Sequence, residues 1–141
     1  MAGKPQLKAL SPVDIADYAV VLRPFIDKAA AFNHGEYATD DVLALCQRGA
    51  MQCFVIYDES QFLGVCVTEI VTYPRLTRIR VVTASGKQVF RWGRLMRDYL
   101  RKWRDSAGFS GIEGWTRTDE PFQKLVSRLG GQCAYTVVLD E

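Results

Sequence analysis

Between Arg75 and Arg104 the chain sets ten cationic side chains, Arg75, Arg78, Arg80, Lys87, Arg91, Arg94, Arg97, Arg101, Lys102 and Arg104, against Asp98 alone. The segment's excess of +9 belongs to a chain of net charge +2, so the other residues carry −7 between them. Such a concentration of charge steers an anionic partner toward one place. Within the segment a strand, a small polar turn Thr83-Ala84-Ser85-Gly86 and a helix are expected in succession. Backbone N–H groups at a strand-to-helix turn are a ready phosphate site.

A second chemistry, proton transfer, has fewer candidates. Glu69 lies between Val67 and Ile70-Val71 in an apolar run. Buried there, a carboxylate holds its proton more tightly and suits a general base near neutral pH. The competing places for it are the solvent face or an ion pair with Arg78 or Arg80 across a sheet. Glu113 is a weaker version of the same idea. Tyr135 and Tyr99 can give a proton as general acids, although tyrosines on strands and helix faces usually pack. His34, the sole histidine, sits beside Gly35 in a turn with no metal-spaced partner and reads as a loop residue, so no metal site is expected. Cys46, Cys53, Cys66 and Cys133 show no C-x-x-C spacing and stand in apolar-rich segments, as buried thiols do.

The elements that must position these groups follow from pattern. At 141 residues and 48% apolar composition, one ordinary core and one domain over 1–141 are expected. Residues 1–11 are either loose or supply a short first strand at Leu7–Leu10. Ser11, Pro12 and Asp14 open a helix that Pro24 breaks near Arg23, because proline disfavours helical geometry in the residue before it. Thr39-Asp40-Asp41 caps a second helix ending at Gly49. Strands are expected at Gln52–Tyr57, Phe62–Tyr73 and Arg75–Thr83, with a reversal at Asp58-Glu59-Ser60-Gln61.

A helix follows over Gln88–Asp105. Trp92, Leu95, Met96, Tyr99, Leu100 and Trp103 share one face of it, while Arg94, Arg97, Arg101 and Arg104, with Phe90, share the other. Strand Gly111–Arg117, helix Pro121–Leu129 and strand Cys133–Leu139 complete the order. No apolar run reaches the roughly 20 residues that cross a bilayer, and no signal-peptide core follows Met1. A soluble intracellular protein without membrane contact is expected.

This order of elements resembles the GNAT fold, the acyl-CoA N-acyltransferase-like superfamily. It implies an α/β (α+β) domain with a mixed, mostly antiparallel sheet of six to seven strands flanked by about four helices. The family's signature at the central strand-to-helix turn is Gln or Arg, then x-x-Gly-x-Gly or Ala, and it binds the pyrophosphate of acetyl-CoA. Here it reads Gln88-Val89-Phe90-Arg91-Trp92-Gly93, with arginine where the first glycine belongs. The resemblance therefore implies Val82, Thr83 and Gln88 to Gly93 as the cofactor-binding residues, with Arg91 either filling the phosphate site or adding charge to it.

The family's later pattern, Ala-x-x-Leu-Tyr-x-x-x-Gly-Phe, aligns with Phe122 to Gly131. Leu125 and Gly130 match, but Val126 stands in place of the tyrosine that protonates the departing thiolate, and valine has no proton to give. Chains of this size with such losses resemble degenerate GNAT-like proteins of tailed bacteriophages. That resemblance implies a virion or assembly component with little or no catalysis, in the host cytoplasm or the virion, bound to other phage proteins.

Two further readings remain open. One is an acetyl-CoA-dependent N-acetyltransferase with Glu69 as base and Tyr135 or water as acid. The other is a contact made by Arg94, Arg97, Arg101 and Arg104 with nucleic acid or an acidic surface. A solvated helix face is the plain alternative for that arginine stripe.

Overall fold

The computed structural model describes residues 3–30 and 37–114, with Ser127, Arg128 and Gly130. Five strands, β1 (Gln6–Leu10), β2 (Gln52–Tyr57), β3 (Phe62–Thr72), β4 (Thr77–Gly86) and β5 (Gly111–Gly114), form one sheet in sequence order. Neighbours run antiparallel except β4 and β5, which are parallel and are joined by the long helix α3 (Val89–Ala107). A parallel pair needs such a crossover. The sheet is mixed and mostly antiparallel, as expected. The helix expected at Pro121–Leu129, the last strand at Cys133–Leu139 and residues 115–117 of the strand before it lie outside the described residues, apart from the helical Ser127 and Arg128.

Alternation along β2 divides the interior into two cores. Cys53 and Val55 point with Val65 and Val67 toward α1 (Ile15–Ala30) and α2 (Thr39–Gln47), whereas Phe54 and Ile56 point with Leu63, Cys66 and Ile79 toward Trp92, Met96 and Leu100 of α3. The β2 interior is therefore apolar on both faces, which is why it reads as a compact unbroken run.

Two sequence expectations need correction. The first helix does not break near Arg23: Pro24 lies inside α1. The backbone acceptor that a proline leaves without its helical donor belongs to Val20, a residue 84% exposed, while Leu22 and Ile26 are fully buried on either side of Pro24. Packing on the inner face outweighs a lost hydrogen bond on the outer one. Thr83-Ala84-Ser85-Gly86 is likewise no turn, because β4 continues through it with Ala84, Ser85 and Gly86 opposite Cys66, Val65 and Gly64. The reversal into α3 takes only Lys87 and Gln88. The cap at Ser11 falls where expected, with Asp14 accepting from the Ser11 N–H and hydroxyl, whereas α2 is capped one residue earlier than expected, at Ala38, whose N–H donates to Asp41 at 2.9 Å while Thr39 is already helical.

The seat of α3 depends on two glycines. A Cβ on Gly86 would stand 2.2 Å from the Leu63 carbonyl oxygen, and one on Gly64 would stand 2.7 Å from the Trp92 ring. Both clash with backbone or a buried indole that cannot yield freely. Gly86→Ala is therefore expected to cost more than about 2 kcal/mol, read as a lower thermal midpoint by circular dichroism, whereas Gly108→Ala, with open space around it, costs only the strain of its positive φ of 74°.

Candidate functional site

The strand-to-helix turn is held from three sides. The Lys87 N–H donates to the Leu63 carbonyl at 2.7 Å, and the Trp92 Nε1–H donates to the Lys87 carbonyl at 2.8 Å. Gln88 takes left-handed geometry, φ 53° and ψ 46°, which is uncommon for a residue with a Cβ. Its side chain is fixed from the next turn of the helix, where Arg91 Nη1 donates to Gln88 Oε1 at 2.7 Å. Helix α3 then starts at Val89 with no side-chain cap.

Arg91 does more than hold Gln88. Its Nη1 also donates to Asp58 Oδ2 at 3.0 Å and its Nη2 to the Gly3 carbonyl at 2.9 Å. One guanidinium thus joins the start of α3, the β2–β3 turn and the chain leading into β1. The Asp58 side chain is fully buried and also accepts the Ser60 N–H at 2.9 Å, the Ser60 hydroxyl at 3.0 Å and the Gln61 N–H at 3.0 Å. These donors, the Ser60 N–H foremost, outweigh burial, and together with Arg91 they bring the carboxyl down to about 2.

This arrangement commits the arginine at the glycine position to groups of the protein itself. Val89 to Gly93 are all helical, Gly93 is buried within α3, Trp92 is buried over Gly64, and the arginine at the glycine position already has an internal carboxylate. Of the expected cofactor residues, Val89 is half-buried, and Gln88 and Phe90 face solvent. Thr83 is buried, and Val82 packs beside the α1 and α2 core. The register of β4 on β3 shifts there, Val67 facing Thr83 and Thr68 facing Val81, so that Val82 is the extra residue of a β-bulge. Bulges re-aim side chains and are frequent beside active sites.

Glu69 lies across from Arg80 and pairs with it at 3.2 Å, the cross-strand alternative read from the sequence. Arg80 Nη2 donates to the Tyr73 hydroxyl at 3.1 Å, that hydroxyl donates to Glu113 Oε1 at 2.7 Å, and Arg80 Nε stands 3.9 Å from Glu113 Oε2. The side chains of Glu69, Arg80 and Glu113 are 19–28% exposed, so the cluster is partly open to water. Glu69 is thus not the isolated carboxylate among apolar neighbours that a tuned base requires. Arg80 stands about 7 Å along β4 from the bulge at Val82.

Tyr99 packs its ring 5.2 Å from that of Phe54 and belongs to the helix–sheet contact. Tyr135, His34, Leu125, Val126 and Cys133 lie outside the described residues. Cys46, Cys53 and Cys66 are free and buried. Among the described residues there is no cluster of three or more His, Cys, Asp or Glu side chains that could hold a metal, and no helix long and apolar enough to cross a membrane.

The arginine stripe lies on the outer face of α3, with Arg94 exposed. Arg97 and Arg104 pair with their neighbours Asp98 and Asp105 at 3.0 and 2.9 Å. An open groove of about 590 Å³ between β1, β2, α2 and α3, lined by Leu10, Met51, Phe54, Tyr99 and Trp103, contains neither the turn nor Glu69.

Sequence reasoning missed Asp58 and Tyr73. The sequence presents Asp58 only as a turn residue, and the signal that could mark it is Arg91, an arginine where a glycine belongs and which therefore needs a partner. Tyr73 directly follows β3, and only the β3–β4–β5 register brings it to Glu113.

No protein-family model and no curated protein sequence matches this chain. Solved structures do. An aminoglycoside acetyltransferase from an uncultured soil metagenomic sample superposes with a TM-score of 0.73 at 14% identity, over 99% of this chain and 98% of that one. The ribosomal-protein-alanine N-acetyltransferase of Brucella melitensis biovar Abortus 2308 does so at 0.68 and 14%, over 97% and 99%. An aminoglycoside N-acetyltransferase solved with CoA gives 0.68 and 12%, over 100% and 95%.

Asp58 also sets a pH test. Its folded-state pKa lies below the ordinary 3.8, so its contribution to stability is present above that value and is lost as pH falls toward about 2. In urea unfolding, the stability gap between the native chain and Asp58→Asn is expected to be constant above pH 5 and to close between pH 4 and 2. A gap that persists at pH 2 contradicts the assignment.

Proposed function

We propose that this chain, which has the GNAT-like fold of these acetyltransferases, is a degenerate member of that fold, a virion or assembly component of a tailed bacteriophage that works through contacts with other phage proteins and carries out little or no acyl transfer. The observation that carries the loss of catalysis is the Arg91 guanidinium, committed to Asp58, Gln88 and Gly3 at 2.7–3.0 Å. In an intact loop of this family, backbone N–H groups and a glycine leave room for pyrophosphate. Here the corresponding residues are a helical turn whose charge is neutralised from within. The phage setting rests on the resemblance in size and in lost motifs, Arg91 for glycine and Val126 for tyrosine.

The reading predicts that isothermal titration of the full chain with acetyl-CoA gives no saturable heat, a Kd weaker than about 1 mM. Micromolar binding that disappears in Gly93→Trp would overturn it. A second reading, an acetyl-CoA-dependent N-acetyltransferase, draws on the bulge at Val82 and the partly open Glu69 beside it. Glu69 would serve as base and Tyr135 as acid. Acetyl transfer to an amine at millimolar acetyl-CoA, abolished in Glu69→Gln, would establish that reading in place of the first.

A further inference from the structure

The outer face of α3 has a use that neither the loop nor the polar cluster absorbs. Its inner face is committed, with Trp92, Met96 and Leu100 buried against the sheet. Its outer face carries Phe90, 74% exposed, at the N-terminal end, followed at helical spacing by Arg94, Arg97, Arg101 and Arg104. Lys87 and Gln88 are exposed just before it, and the Arg128 guanidinium stands 5.9 Å from the centre of the Phe90 ring. Along α3 the only acidic residues are Asp98 and Asp105, each engaged by the arginine preceding it.

Three physical features choose among partners. A protein interface needs an apolar centre from which charge is depleted, whereas this ridge is cationic throughout with one aromatic. Interfaces with nucleic acid are polar and strongly positive. A lone exposed aromatic flanked by guanidinium groups is a stacking platform for an unpaired base, which a duplex does not offer. Moreover, the remaining residues of the chain sum to −7, so a polyanion approaching from another side is repelled and reaches this ridge.

We propose that the outer face of α3 binds single-stranded nucleic acid, with Phe90 stacking on a base and Arg94, Arg97, Arg101 and Arg104 on consecutive phosphates. From Phe90 to Arg104 the ridge is about 21 Å long, enough for roughly three to five phosphates of an extended strand. The inference does not rest on the loss of cofactor binding. An acetyl-CoA titration reads that loss, and oligonucleotide binding reads this surface.

The test is fluorescence anisotropy of the full chain with a labelled oligothymidine of about 20 nucleotides across a salt series. Affinity is expected to fall with a log–log salt slope of roughly −2 to −3.5, the value for three to five phosphate contacts on a single strand. Arg94→Glu combined with Arg97→Glu is expected to weaken binding at least about tenfold and to flatten the slope. Phe90→Ala is expected to weaken it about fivefold or more with the slope unchanged, because stacking does not release counterions. Lys87→Glu, at an exposed position, gives a second charge reversal if the double variant does not fold. No binding at low salt, a flat salt response, equal competition by polyglutamate, or indifference to Phe90→Ala would each overturn the proposal.

Discussion

The ion pair between Arg91 and Asp58 ties together three parts of the chain that are distant in sequence. Asp58 closes the β2–β3 turn, Arg91 opens α3, and Gly3 leads into β1. A buried carboxylate without a cation is costly, and so is a left-handed Gln88 without support. Each accounts for the other: the arginine that satisfies Asp58 also anchors the Gln88 side chain. Removing either partner leaves the other uncompensated, so the turn, the helix start and the edge strand stand or fall as a unit.

That constraint explains the altered loop. A glycine at position 91 would leave Asp58 without its cation and the β2–β3 turn without its tie to α3. A phosphate arriving at the turn would have to compete with an internal carboxylate that already holds four donors in addition to its burial. The guanidinium at the turn is thus held by the architecture, and the sheet, the bulge at Val82 and the α3 crossover surround it.

Much of this was legible in the residues. The strand meander, the compact apolar run of β2, the amphipathic α3 and the capping carboxylates Asp14 and Asp41 follow local patterns, and the structure has them. Pro24 misled because a proline's effect depends on which face of the helix it occupies, and that is set by packing. Ala84-Ser85-Gly86 misled because small residues that look like a turn are what two strands need to approach closely at Gly64 and Gly86. The arginine substitution was visible, but its consequence was not. Whether Arg91 fills the phosphate site or adds charge to it depends on a carboxylate 33 residues earlier that only the hairpin register brings near.

On the proposed reading Arg91 serves the architecture and no cofactor. A double-mutant cycle on Arg91→Met and Asp58→Asn, read by chemical denaturation with and without saturating acetyl-CoA, tests it directly. A favourable coupling between the two residues is expected, of the same size in both conditions, with no stabilisation of the native chain by acetyl-CoA. Absence of coupling, or stabilisation by acetyl-CoA that Arg91→Met removes, would contradict it.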